Sequence, residues 1–172
     1  VLIRVDYNVP INNGIVADDF RIRASIPTIS HCLNSGAAIV LMSHFGRPNG
    51  KIVQEMSLEP VLFELQDILD KKIMFSSNCI SDEAIKLSQQ MKPGEIHLLE
   101  NLRFYKGETD NNQNFSKLLS SHADIYINDA FGVSHRKHAS VVGITEHIKD
   151  AAVGLLIEKE LMYLDKIMRK PQ

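Results

Sequence analysis

The stretch AAIVLMSHFGRP, residues 37–48, passes from six apolar residues through Ser43 into a segment that holds His44, Gly46, Arg47 and Pro48. Ala37–Met42 is too short for a helix and shows no alternation of apolar and polar residues. It is expected to be a strand buried on both faces, as in a parallel sheet covered by helices. The residues after it pose the functional question. A loop that only turns takes Gly, Asn, Asp or Ser, whereas a guanidinium so close to a buried strand points to an anion.

The same kind of run recurs at VLIRV (1–5), KIMF (72–75), EIHLL (95–99) and DIYIN (124–128), with helical patterns between. DDFRIRASIPTISHCLNS has Asp18 or Asp19 as its cap, a stop at Ser35-Gly36 and an awkward Pro27. SLEPVLFELQDILD has Ser57 as N-cap, Pro60 in its first turn and Val61, Leu62, Leu65, Ile68 and Leu69 on one face. SDEAIKLSQQM and NNQNFSKLLSSH each open on a capping residue, and KPGE (92–95) is a turn. Strands alternating with helices give an α/β domain with a mostly parallel sheet and helices on both faces.

Composition narrows the function. With 44% hydrophobic and 23% charged residues in 172, the chain is expected to be an ordinary globular domain with a core of its own. A formal charge of -2 removes a broad case for nucleic acid, so any positive site is local. Cys32 and Cys79 have neither the number nor the spacing of a disulfide framework or zinc site, which fits reduced thiols in a cytoplasmic protein. No run is long enough to span a bilayer, and the N-terminus lacks a signal-type core. The chain opens on a strand without Met. It closes on LLIEKELMYLDKIMRKPQ, whose Leu156, Leu161, Leu164, Ile167 and Met168 follow a helical spacing up to Pro171. The expectation is a piece of something longer.

Ligands of open parallel sheets bind outside the carboxyl ends of the strands. DYNVP follows the first run, SHFGRP the second, ENLRFYKGE the fourth and NDAFGVSHRKH the fifth. These ends carry Asp6 and Asn8, His44 and Arg47, Arg103, and Arg136. Arg21, at the start of the first helix, lies near the same rim if that helix packs back. Four of the seven arginines thus converge, which suits a phosphorylated or carboxylated small molecule. Taken singly, each arginine reads better as a surface ion-pair partner. His135 and His138 lack a carboxylate or thiolate to complete a metal shell. Asp129 is expected to cap or turn, and Arg4 to make a structural ion pair. His31, His97, His122 and His147 read as structural or exposed, and Phe104 and Tyr105 as packing. No dinucleotide fingerprint, nucleotide phosphate loop or nucleophile elbow is present in the sequence.

In order, RVDYNVP, FRI…PTI, SHFGRP, LLENLRFYKGE, NDAFGVSHRKHAS and GLLIEKEL resemble the N-terminal domain of the phosphoglycerate kinase family over nearly the whole chain. The resemblance implies a three-layer Rossmann-like lobe at 1–156 that binds phosphoglycerate, and the start of the interdomain helix at 157–172. It implies reversible phosphoryl transfer between 1,3-bisphosphoglycerate and ADP, giving 3-phosphoglycerate and ATP in glycolysis. Mg-ATP or Mg-ADP, the cosubstrate, is then bound by a C-terminal domain absent from these residues. Asp6 and Asn8 take the glycerate; His44, Arg47, Arg103 and Arg136 form a basic patch; Arg21 stands nearest the transferring group. Tyr7, Phe45 and Gly46 join the substrate-binding set, with Tyr7 where Phe is commoner and Phe45 where Leu is commoner.

A phosphoryl group in flight spreads negative charge over three oxygens, so positioning and cations do most of the catalysis. In the ATP-consuming direction the nucleophile is already a carboxylate, and no general base is needed. The resemblance further implies a cytoplasmic enzyme, monomeric at full length, with no nucleic-acid or membrane partner. The 172 residues alone are expected to bind 3-phosphoglycerate weakly and not to turn over. Two other classes stand beside this. One is a non-catalytic phosphometabolite-binding module; the other, a dinucleotide oxidoreductase domain, fails on the missing glycines.

Overall fold

A computed structural model describes residues 1–169. In chain order the elements are β1 (Leu2–Arg4), β2 (Ile11–Asn12), β3 (Ile15–Val16), α1 (Phe20–Asn34), β4 (Ile39–Met42), α2 (Glu59–Leu69), β5 (Ile73–Ser76), α3 (Asp82–Gln89), β6 (Ile96–Leu99), α4 (Lys106–Thr109), α5 (Gln113–Ser120), β7 (Ile125–Asn128), β8 (Asp150–Val153) and α6 (Leu155–Arg169). Six strands form one sheet in the order β5-β6-β4-β1-β7-β8, and every neighbouring pair is parallel. The chain starts in the middle of the sheet. It adds strands to one side of β1 first and then to the other, which puts a crevice beside the carboxyl end of β1.

Alternation along the strands divides the core in two. Ile3, Leu41 and Leu98 pack with Ile22 and Ile29 of α1 and Val61 and Leu65 of α2. Leu2, Val40, Met42 and Tyr126 pack with Phe115 and Leu119 of α5. The register Leu2↔Val40 and Ile3↔Leu41 keeps each set on its own face. Helices therefore cover both faces, giving the three-layer Rossmann-like α/β domain.

Ser81 and Asn112 cap α3 and α5, their side chains accepting from Ala84 N at 3.2 Å and Phe115 N at 3.0 Å. Ser57 is not the N-cap of α2: the helix starts at Glu59, and the buried Glu100 carboxylate accepts Leu58 N at 2.8 Å. Ser57 Oγ instead donates to Glu100 at 2.6 Å and accepts Glu59 N at 3.1 Å. Asp18 accepts Phe20 N at 2.9 Å at the start of α1, and the helix runs through Pro27. The β2–β3 hairpin and β8 add to the five strands read from the sequence. Asn13 and Gly14, at φ 51° and 76°, make the hairpin's turn, a conformation that Asn-Gly favours.

Asp129 has the capping role expected of it, its Oδ1 accepting Leu156 N at 3.0 Å. Gly154 is required beside it, because a Cβ there would overlap the Asp129 carboxylate. Of α6, Ile157 is buried, whereas Leu161, Leu164, Ile167 and Met168 are exposed. Pro171, the expected stop, lies outside the described residues. No helix among the described residues is long and apolar enough to cross a membrane. Both cysteines are free and buried.

Candidate functional site

The loop after β4 has no regular structure, so its position depends on bonds from other loops. Ser43 Oγ accepts Tyr7 N at 2.8 Å, tying it to the loop after β1. Asn8 Oδ1 accepts Gly46 N at 2.9 Å. From beyond β6, Asn101 Oδ1 accepts Phe45 N at 3.0 Å, its amide donates to Phe45 O at 2.7 Å, and Arg103 Nη1 donates to Gly46 O at 2.7 Å. Gly46 sits at φ 60°, and a Cβ there would come within 2.8 Å of the Met56 sulfur. Glycine meets both demands.

These loops and the one after β7 enclose a cavity of about 250 Å³, lined by Asp6, Asn8, Arg21, His44, Gly46, Arg47, Arg103, Gly132, Val133 and Arg136. The structure thus gathers eight of the sequence-predicted residues. Tyr7 and Phe45 are not among the lining. Between Asp6 and Asn8, Tyr7 points to the opposite side, is fully buried and bonds Ser25 Oγ at 3.0 Å. Phe45 packs against the core. Gly132 and Val133, from a short turn at 131–133, were not foreseen.

Charge is unevenly compensated here. Arg21 pairs with Asp6 at 2.5 Å, and Asp6 also accepts Asn8 N at 3.2 Å. Arg47, Arg103 and Arg136 make no ion pair among the described residues. Arg136 Nε is buried without a partner. Burial, then Arg136 and Arg4, push the Arg103 guanidinium down from its usual range, though a guanidinium stays charged. Burial first, then Arg4, Arg103, Arg136 and His138, hold His44 down to about 2, so its imidazole is neutral. Three unpaired guanidiniums around one small cavity make a receptor for an anion with several oxygens.

A family model described as phosphoglycerate kinase matches residues 1–172. The chain belongs to the phosphoglycerate kinase family. The phosphoglycerate kinase of Prochlorococcus marinus (strain MIT 9515) is 48% identical over 172 residues, which are 99% of this chain and 43% of that protein. That of Trichodesmium erythraeum (strain IMS101) is 46% identical over 172 residues, 100% of this chain and 43% of the relative. Among solved structures, phosphoglycerate kinase from Coxiella burnetii superposes with a TM-score of 0.87 at 35% identity, covering 99% of this chain and 42% of that one. The Pyrococcus horikoshii OT3 enzyme gives 0.87 at 30% identity, covering 99% and 43%. The chain therefore spans less than half the length of these phosphoglycerate kinases.

Beneath the cavity lie residues the sequence reading did not assign to it. Arg4, expected to form an ion pair, is fully buried and forms none among the described residues. Its donors go to Ser140 Oγ at 3.0 Å, Val5 O and His44 Nδ1 at 3.0 Å. The one available signal was an arginine inside an otherwise apolar strand. No group of three His, Cys, Asp or Glu side chains among the described residues is arranged to hold a metal ion.

Proposed function

We propose that this chain is the phosphoglycerate-binding lobe of an enzyme that transfers a phosphoryl group reversibly between 1,3-bisphosphoglycerate and ADP. The supporting observation is the cavity at the carboxyl ends of β1, β4 and β6, lined by three guanidiniums, those of Arg47, Arg103 and Arg136, that make no ion pair among the described residues. Arg47, Arg103 and Arg136 take the phosphate, with His44 as a hydrogen-bond donor. Asp6 and Asn8 orient the glycerate, and Gly46 supplies the backbone bend that brings His44 and Arg47 to the cavity. Arg21, half exposed and held by Asp6, stands at the rim, where it stabilises the transferring group as charge spreads over the equatorial oxygens. Tyr7 and Phe45 act behind the lining, as packing that fixes the two loops.

Residues 1–156 form the binding domain and those from 157 begin the interdomain helix, described as far as Arg169. Its exposed Leu161, Leu164 and Ile167 are the surface that the nucleotide-binding part of a full-length enzyme covers. Mg-nucleotide belongs to that part. The 172 residues alone bind 3-phosphoglycerate weakly and do not turn over, because closure of a second lobe is needed to assemble the site. Two measurements test this: titrating 3-phosphoglycerate into the 172-residue chain while following amide shifts, and separately incubating the chain with 1,3-bisphosphoglycerate and Mg-ADP while following ATP. Shifts at Arg21, Arg47 and Arg136 without ATP formation are expected. No shift at these residues, or robust ATP formation, overturns the reading.

A further inference from the structure

A guanidinium within the sheet, 0% exposed, is costly unless its N–H groups are used. Arg4 uses three of its nitrogens, and the direction of each bond is fixed because a guanidinium only donates. Its Nε donates to Ser140 Oγ at 3.0 Å. Ser140 has a single hydroxyl proton, which goes to Glu108 Oε1 at 2.6 Å, while Ser140 N donates to Glu108 Oε2 at 2.9 Å. Glu108 is also 0% exposed, and its backbone carbonyl accepts Ala139 N at 2.9 Å. The buried positive and negative charges are thus joined through one serine.

The other end of Arg4 meets the cavity wall. Nη2 lies 3.0 Å from His44 Nδ1, so Nδ1 is the acceptor. A neutral imidazole accepting at Nδ1 carries its proton on Nε2, and the described residues offer Nε2 no partner. His44 lines the cavity, so this free N–H is the group left for a ligand.

We propose that Glu108, Ser140 and Arg4 form a buried positioning relay that fixes His44 as its Nε2–H tautomer, so that His44 meets an anionic oxygen as an uncharged donor. Arg4 never touches the ligand; it acts through His44. The groups facing His44 agree with this. Arg4 comes from β1, Arg103 from the turn after β6, and Arg136 and His138 from the loop after β7, and all four oppose a second proton on the ring, while the bond from Arg4 decides which nitrogen stays bare. Of the nearby carboxylates, Glu108 stands behind Ser140 and 3.7 Å from His138, and Asp6, across the cavity, is held by Arg21. The ligand contact rests on the reading of the cavity as a phosphoglycerate site, whereas the tautomer does not.

The test uses the ¹⁵N-labelled 172-residue chain without ligand, whose long-range ¹H–¹⁵N spectrum reports the protonation of each imidazole nitrogen. The expected result is a bare Nδ1 and a protonated Nε2 on His44, unchanged from roughly pH 5 to 8. A coupling across the hydrogen bond between Arg4 Nη2 and His44 Nδ1 is also expected. A proton on Nδ1, titration of His44 within that range, or absence of the coupling overturns the relay. In Arg4→Met/Glu108→Gln, which removes both buried charges together, His44 titrates and affinity for 3-phosphoglycerate becomes pH-dependent. Unchanged His44 resonances in that variant also overturn it, and the coupling in the unmodified chain decides the matter if the variant does not fold. Adding 3-phosphoglycerate moves the Nε2 resonance. If the tautomer is as expected but Nε2 does not move, the ligand contact and the reading of the cavity fall while the relay stands.

Discussion

Arg136→Met separates binding from folding. Methionine keeps the length and apolar body of the arginine stem and removes only the charge and its donors. Arg136 has no ion-pair partner among the described residues, its Nε is buried without a bond, and it lies close enough to press on the Arg103 guanidinium. Its loss in the free protein thus removes repulsion and breaks no bond, so unliganded stability changes by no more than about 0.5 kcal/mol, in the upward direction. With phosphoglycerate bound, a charge-assisted contact worth about 1.5–3 kcal/mol disappears, weakening affinity roughly 10- to 150-fold. At a ligand concentration of about 100 Kd the unmodified chain gains about 2.7 kcal/mol, or roughly 5–11 °C in Tm for a domain of this size. The same concentration gives the variant about half of that or less. Thermal melts with and without 3-phosphoglycerate, alongside calorimetric titration, read both quantities. A fall of more than about 4 °C in the unliganded Tm shows that Arg136 holds its loop. Unchanged affinity shows that it does not bind the anion.

Tyr7→Phe removes the hydroxyl that donates to Ser25 Oγ, since the serine proton goes to Ile22 O at 2.7 Å. It costs about 0.5–1.5 kcal/mol in urea unfolding and leaves 3-phosphoglycerate affinity unchanged, and a clear loss of affinity contradicts its placement behind the lining. A second buried network joins α3 to the sheet: Ser88 Oγ meets His97 Nδ1 at 2.9 Å and His122 Nδ1 at 2.6 Å, and His122 Nε2 donates to Cys79 O at 2.9 Å. Burial and then His122 hold His97 down to about 4, and burial lowers His122. Because unfolded histidines titrate near 6.5, the unfolded chain binds more protons between roughly pH 6.5 and 4. Stability is therefore full above pH 6.5 and falls as pH drops through that window, by on the order of 2–3 kcal/mol for His97. Urea midpoints that fall less steeply in His97→Gln are expected; identical slopes count against the network. Ser88→Ala strands two imidazole nitrogens and costs about 2–4 kcal/mol at neutral pH.

The strands legible in the sequence were those buried on both faces. Ile39–Met42 and Ile96–Leu99 are continuous apolar runs because helices cover both sides of them. β8 reads Asp-Ala-Ala-Val, an exposed edge strand held by pairing to β7 alone, so its residues carry no pattern. The β2–β3 strands are two residues each, too short for any periodicity, although Asn13-Gly14 did announce their turn. For the site, the rule that ligands gather at the carboxyl ends of parallel strands brought four loops together in advance. The tier below was not legible. Arg4 and Ser140 are 136 residues apart in sequence, and nothing local marks Ser140 or Glu108 as partners of a strand arginine. Tyr7 was legible in principle, since residues alternating in an extended segment cannot all face one cavity.

Position and charge have separate origins in this site. The loop at 43–48 is placed by Tyr7 N, Asn8, Asn101 and Arg103, groups delivered by the two neighbouring strand ends. These bonds are made within the chain itself, so the entropy of ordering the loop is met in folding and does not oppose binding. The charge has the opposite economy. A chain of net charge -2 has enough carboxylates to neutralise every arginine, yet Arg47, Arg103 and Arg136 make no ion pair among the described residues. Of the four arginines at the cavity, Arg21, at the rim, is the one paired among the described residues, so an arriving anion must compete with Asp6 for it but not for the other three. On the proposed function, the lobe presents a formed phosphate pocket and a held Arg21, and release of that arginine toward the transferring group is a separate step from capture of the phosphate.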